Sequence, residues 1–402
     1  MNRKRLPNSR YLENTAEQMN KKIVLILCPW YDPYRVPLLR ELAREFDITV
    51  LYTMPKEVGR EWHPPDDLPF RAYYLKPVFL WKTNQMFGEH LLIRYPAGLL
   101  EKLREIQPDV VVSLEFRFDC ILGALWARLN RRGYVIWSDM TYHHDKLMGL
   151  LRRGNRRFLL LFAHALIGSC TDTLHHFSDN FGYPKAKEFL SSLSAHIQEH
   201  LAAVGVPEKP PRRDDDPIRF VYVGEMKPRK GIDLLIRAFA QLLQSVPDAL
   251  LTLIGKGVDL EALKELAKEL GCEHAVLFPG SVRYESVPTE MVRHDVFILP
   301  ARLDVFGLVV AEAAACGLPV ICSKYAGVAN DMVKENGFIV DPENPVEMAS
   351  AMEQMTRDPE MRRRMGKASK LLAQKYDLES AVKGYADAVR LALRSTGRAE
   401  AE

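Results

Sequence analysis

Two carboxylates, Asp304 and Glu312, lie eight positions apart in LDVFGLVVAEAAACGLPV (residues 303–320), on either side of Phe306 and Gly307. Gly317 followed by Pro319 is a helix-stop signal, so residues 306–316 read as a helix that holds Glu312 and that Asp304 precedes. At 1.5 Å per residue the spacing predicts about 10–12 Å between the two acids along the axis. Acid pairs that straddle one glycosidic bond stand about 5 Å apart in retaining hydrolases and about 6.5–9.5 Å apart in inverting ones, so this pair suits the two ends of one extended ligand. Between the acids, the open N–H groups of a helix start, approached closely at Gly307, form an anion site. Acid, anion site and acid in that order match sugar hydroxyls, a diphosphate and a ribose. Taken alone, the pair also reads as an N-cap aspartate and a solvent-facing glutamate.

A basic turn is the second candidate. In YVGEMKPRKGIDLLIRAF (222–239) a strand ends at Gly224, Lys227, Arg229 and Lys230 fill the loop, and a helix starts at Gly231. A lysine at such a turn reaches a phosphate as a point charge, although a solvated basic turn has the same sequence.

These residues need a frame, and the hydrophobic pattern supplies it. From Lys22 the short apolar runs KIVLILC, DITVLYT, PDVVVSLE, GYVIWSD and HALIGSC are separated by stretches of helical spacing such as CILGALWARLNRR. That alternation predicts a parallel sheet covered on both faces. Residues 204–217, dense in proline and charge, break the periodicity and read as a linker. The alternation then restarts with IRFVYVGEM, ALLTLIG, AVLFPG, DVFILPA and PVICS, and helices follow at 345–357 and 359–375. The expected class is α/β, with two Rossmann-like doubly wound domains, 22–203 and 218–377, facing a cleft beyond the carboxyl ends of their strands.

Composition narrows the function. The 402 residues, 47% hydrophobic and 27% charged with net charge +3, describe a globular protein and give no sign of nucleic-acid binding. Charge is uneven: residues 1–200 hold 28 Lys and Arg against 22 Asp and Glu, while residues 201–402 hold 27 against 30. Six scattered cysteines without a C-x-x-C pair suggest a reducing compartment. No apolar run approaches the ~20 residues of a membrane span, and residues 1–21 read as a polar, disordered leader. A cytoplasmic protein, peripheral at the inner face of the membrane, is expected.

Taken together, the segments GEM followed by Lys230-Gly231, LTLIGKG, FPGSV, DVFILPA, the Asp304-to-Glu312 stretch, CGLPVICS and NGFIVDPENP resemble glycosyltransferase family four. These are retaining nucleotide-sugar enzymes with the GT-B fold. The resemblance covers about residues 220–350 well; the first half is similar mainly in layout, with DPYRVPLLREL its most specific stretch. It implies transfer of a sugar from a nucleoside-diphosphate sugar to a glycan, lipid or small-molecule acceptor, without a metal or other cofactor. It also implies that the first domain binds acceptor and that a last helix, 378–396, crosses back to it. By the same resemblance Lys230 binds the diphosphate, Asp304 the donor-sugar hydroxyls and Glu312 the ribose. Gly307 and Leu308, next to Phe306, offer N–H groups to phosphate, while Gly224, Gly255, Gly257, Ser281 and Val282 line the nucleotide. Two positions depart from the family pattern: Glu225 stands where an arginine is usual, with Arg229 or Arg302 as substitutes, and Asp304 is shorter than the usual glutamate. A non-catalytic nucleotide-sugar-binding protein of the same fold is the alternative.

Weaker signals remain. HIQEH (196–200) has the H-x-x-E-H form of a zinc hydrolase, with His196, Glu199 and His200 as the candidate set. Tyr34 and Arg35 follow the first strand, and Asp139, His143 and His144 follow a later one, so these five residues face the cleft on the acceptor side or are ordinary loop polarity. Residues 146–162 set Arg152, Arg153, Arg156 and Arg157 on one helical face and Leu147, Leu151, Phe158 and Phe162 on the other. That pattern suits an anionic membrane surface, or a core-facing helix with a solvated side.

Overall fold

Runs of Val, Ile and Leu with both faces buried are what parallel strands under helical layers require. The computed structural model describes residues 21–53, 67–84, 90–146, 149–210, 213 and 216–397, so the expected leader lies almost wholly outside the described residues. In chain order the first half contributes β1 (Ile23–Cys28), β2 (Asp47–Tyr52), β3 (Arg71–Tyr74), β4 (Lys76–Asn84), β5 (His90–Ala97), β6 (Val110–Leu114), β7 (Gly133–Ser138), β8 (Ala165–Gly168) and β9 (Glu188–Leu190). The second half contributes β10 (Arg219–Val223), β11 (Leu250–Ile254), β12 (Val276–Gly280), β13 (Val296–Leu299), β14 (Val320–Ser323) and β15 (Gly337–Val340).

Among the described residues, seven strands form one sheet in the order β3-β2-β1-β6-β7-β8-β9 and six form another in the order β12-β11-β10-β13-β14-β15. Every pairing within these two sheets is parallel. The order reverses between β1 and β6 in the first sheet and between β10 and β13 in the second, and ligands of open α/β sheets sit at such switch points. The antiparallel ribbon β4–β5 belongs to neither sheet and was not expected from the sequence pattern.

Helix Leu378–Ser395 lies across β7, β8 and β9 and beside helix Val36–Leu42. Its Ala381, Tyr385, Ala388, Val389 and Ala392 are buried in the first domain's core. The Tyr385 ring meets Trp137 edge-on at 5.1 Å between centroids. Packing crosses the charged break in the other direction too, because Ile197, on helix Ile197–Val204, is buried with the core of the second half.

Helix Leu150–Phe162 corrects the face assignment made from sequence. Arg156, placed with the solvated arginines, is buried against Asp145 at 2.7 Å, and Asp145 is also bonded to His176 at 2.9 Å. Leu151, on the face read as either membrane-facing or core-facing, is 92% exposed. A buried guanidinium is tolerable only with such a carboxylate partner, and Asp145 is contributed by a separate turn that helical periodicity does not reveal. Leu147 lies outside the described residues.

Candidate functional site

Adjacent strands at the switch point of the second sheet bring the candidate donor-site residues together. The loop after β10 carries Lys230 and the loop after β13 carries Asp304, so residues 74 apart in sequence meet: Lys230 Nζ donates to Asp304 Oδ2 at 2.5 Å. The turn Pro228–Lys230 ends at Gly231 with φ +65°, and a Cβ there would lie 2.1 Å from the Pro300 carbonyl oxygen. Only glycine lets this loop settle against the end of β13. Gly307, at φ +90°, then starts helix Leu308–Ala315 with its first N–H groups beside Asp304.

Burial acts to raise the Asp304 carboxyl, but the ammonium of Lys230 and the guanidinium of Arg229 outweigh it and hold the group below its ordinary range. Glu312 has no cation to do this. It is buried among Val310, Ala311, Ala313 and Ala314, and burial pushes it up to about 7 against a hydrogen bond from Tyr284. One acid is thus firmly ionised and the other poised near neutrality, a difference set wholly by partners.

Arg302 is not placed to stand in for the family's missing arginine. Its guanidinium is held by both oxygens of Asp233 at 2.6 and 2.7 Å, by Glu343 at 3.0 Å and by the Pro228 carbonyl at 3.0 Å. It braces the Pro228–Lys230 turn. Arg229 lies closer to Asp304, bonded to the Leu303 carbonyl at 3.3 Å and acting on the Asp304 carboxyl. Glu225 pairs with Lys227 at 3.0 Å, so the acid at the arginine position offsets a neighbouring cation. Gly224, Gly255 and Gly257 lie together, because Gly224 donates to the Ile254 carbonyl, Gly255 to that of Gly280, and Met226 to that of Lys256. Ser281 and Val282 continue from the end of β12 toward Tyr284, and Phe306 is buried.

The acceptor-side residues divide. Arg35 is buried, paired with Asp139 at 2.5 Å and Asp32 at 3.3 Å, with its guanidinium 4.2 Å from the Trp137 ring centroid. It joins the ends of β1 and β7 instead of presenting its charge to a ligand, and Asp139 is further held by Ser169. His144 acts on the Asp304 carboxyl across the cleft, whereas His143 meets the Tyr325 ring at 5.0 Å and is lowered by burial. The two adjacent histidines, indistinguishable in sequence, therefore have different neighbours. Tyr34 reaches the second domain: its ring lies 5.5 Å from Tyr284 and 5.3 Å from His196.

His196 and His200 surround Tyr284 and are not arranged as zinc ligands. His196 Nδ1 is 3.1 Å from the Leu193 carbonyl and Nε2 is 3.3 Å from the Tyr284 hydroxyl; burial lowers this ring to about 4. The His200 ring stacks on Tyr284 at 4.2 Å. His196 is the N-cap of helix Ile197–Val204, so the two histidines do lie one turn apart, but the space between them is taken by the Tyr284 ring. Among the described residues no three His, Cys, Asp or Glu side chains are grouped to hold a metal.

Tyr284 and Glu115 escaped the sequence reading. Tyr284 had no motif to mark it. Glu115 had a faint one, an acid directly after the apolar run of β6, and it takes φ +68°, a left-handed value uncommon outside glycine. It accepts from the Asp139 N–H at 2.7 Å and from Ser138 Oγ at 2.9 Å, while burial and the Asp139 charge raise it.

Comparison with known proteins places this geometry. The family described as glycosyl transferases group 1 matches residues 207–372. Over 158 residues the chain is 34% identical to a GDP-mannose-dependent alpha-(1-6)-phosphatidylinositol monomannoside mannosyltransferase of Mycolicibacterium smegmatis, covering 37% of this chain and 41% of that protein. It is 32% identical over 171 residues to an alpha-D-kanosaminyltransferase of Streptomyces kanamyceticus, covering 42% and 44%. The match thus spans less than half the length of these relatives. The whole fold is similar to the crystal structure of Anabaena Alr3699/HepE in complex with UDP, with TM-score 0.69 and 17% identity over 91% of this chain and 98% of that one. The GT-B expectation and the resemblance to family four both hold: residues 207–372 match the glycosyl transferases group 1 family, in a chain whose two parallel sheets have the GT-B fold.

Proposed function

We propose that the chain is a glycosyltransferase that moves a sugar from a nucleoside-diphosphate donor to an acceptor held by the first domain, with retention of anomeric configuration. The observation that carries this is the Lys230–Asp304 contact beside the start of helix Leu308–Ala315, with Glu312 buried one turn inside it. One ammonium placed there serves the sugar-side acid and a phosphate together. Cleavage of the donor's anomeric C–O bond leaves negative charge on the diphosphate, and Lys230 with the N–H groups of Gly307 and Leu308 stabilises it. Asp304 accepts from sugar hydroxyls and Glu312 from the ribose. With the leaving charge met by a cation and a helix start, the proposed reaction draws on no metal.

The relative from Mycolicibacterium smegmatis is named for GDP-mannose and a phosphatidylinositol monomannoside, which supports a nucleotide-sugar donor and a lipid-linked or glycan acceptor. Glu225 paired with Lys227 favours the second reading, a non-catalytic protein that binds nucleotide sugars, because it removes positive charge from the donor loop.

A thermal-shift panel of nucleoside diphosphates and nucleotide sugars tests the site. One nucleotide series should stabilise the wild type, and Lys230→Ala should weaken that series about 10- to 100-fold, the worth of one charge-assisted phosphate contact. A flat panel, or a shift that survives in Lys230→Ala, refutes the donor site; donor affinity without sugar transfer to any acceptor supports the second reading.

A further inference from the structure

Two neighbouring helices of the first domain turn apolar side chains to solvent. On helix Leu150–Phe162, Leu150, Leu151 and Leu161 are 87%, 92% and 84% exposed, and Phe158 is exposed beside them. At 100° per residue these four, with Gly154, form one continuous arc whose border is the exposed Arg153 and Arg157. Helix Phe118–Leu129 packs alongside and exposes Phe118, Leu125 and Leu129, followed by exposed Arg128 and Arg131 at its end. Ribbon β4–β5 packs against the same helix through β5.

Single exposed leucines are ordinary, but an apolar stretch across two adjacent helices marks a contact surface. Charge identifies the occupant. Across both helices the one acid is Asp119, and it is buried against Arg117. An apolar centre, a rim of arginines and no exposed carboxylate on either helix match an anionic bilayer, which takes leucines at the acyl boundary and pairs guanidiniums with phosphate. A second copy of the chain would set its own arginines against these.

We propose that this face docks the chain in the plane of an anionic membrane. No helix among the described residues is long and apolar enough to cross one. The two helices follow β6 and β7, whose carboxyl ends carry Glu115, Asp139 and His144. The inference stands independently of the donor reading.

The test is co-sedimentation of the full chain with phosphatidylcholine vesicles made with and without phosphatidylglycerol. Wild type should bind the phosphatidylglycerol vesicles and release in high salt. Leu150→Ser with Leu161→Ser, and separately Arg153→Gln with Arg157→Gln, should each reduce binding about tenfold or more while the circular dichroism melt stays at the wild-type temperature. Equal binding to both vesicle types, no binding, or full binding by both variants overturns the proposal. So does a dimer in light scattering that the leucine substitutions dissolve, which would assign the face to a second copy.

Discussion

Glu312 should release a proton when donor binds, and the amount is calculable. Burial pushes its carboxyl from the ordinary 4.5 up to about 7, so at pH 7 about half the molecules carry the proton. Two ribose hydroxyls donating to the carboxylate favour the ionised form and return the group toward its ordinary range. Binding should then release about 0.9 proton at pH 6, about 0.5 at pH 7 and about 0.1 at pH 8. The ligand should be the nucleotide sugar selected by the thermal-shift panel, because its diphosphate bridge carries no titrating proton in this range. Isothermal titration calorimetry in buffers of different ionisation enthalpy reads the count, with Glu312→Gln as the control that removes it. The same shift affects stability. Between about pH 4.5 and 7 the folded chain keeps a proton that the unfolded chain has lost, so this group lowers stability by about 3 kcal/mol as pH rises through that window. Glu312→Gln should flatten that slope. A proton count that does not fall with pH, or one that persists in Glu312→Gln, refutes the assignment of a poised carboxylate at the ribose end.

Two further substitutions separate positioning from direct contact. Tyr284→Phe removes the hydrogen bond that lowers Glu312, so the midpoint of proton release should move to higher pH; an unchanged midpoint would show that the phenol does not govern the acid. Arg302→Ala leaves Asp233 and the Pro228 carbonyl without their shared donor, and should cost about 1–3 kcal/mol in a denaturant melt. Because Arg302 acts through the turn, it should weaken nucleotide less than Lys230→Ala does; the reverse order would make Arg302 a phosphate ligand after all.

Much of the proposed donor site was legible because its residues lie in local patterns. Helix signals around Asp304 and Glu312, and the strand-to-helix turn at Lys230, are short-range patterns, and the resemblance to family four rests on the same segments. The acceptor side was not legible to the same degree. Arg35 looked available from its place after a strand, yet its charge is absorbed by Asp139, 104 residues later. Arg302 looked like a phosphate ligand and is spent on Asp233, 69 residues away. HIQEH looked like a metal motif, and its histidines enclose a tyrosine contributed by the other domain.

Sequence alone determined the alternation of apolar strands and helices, and with it two parallel sheets, since period and turn residues act within a few positions of themselves. It also determined which residue types could meet an anion. Tertiary structure decided their ionisation and their partners. Asp304 and Glu312 share a stretch of chain and differ because Lys230 reaches one and only a phenol reaches the other. It also decided which face of helix Leu150–Phe162 turns outward, because Asp145 captures Arg156 and leaves Leu150, Leu151 and Leu161 in the open. Periodicity states that a helix has two faces; only the neighbours that it packs against determine which of them meets water.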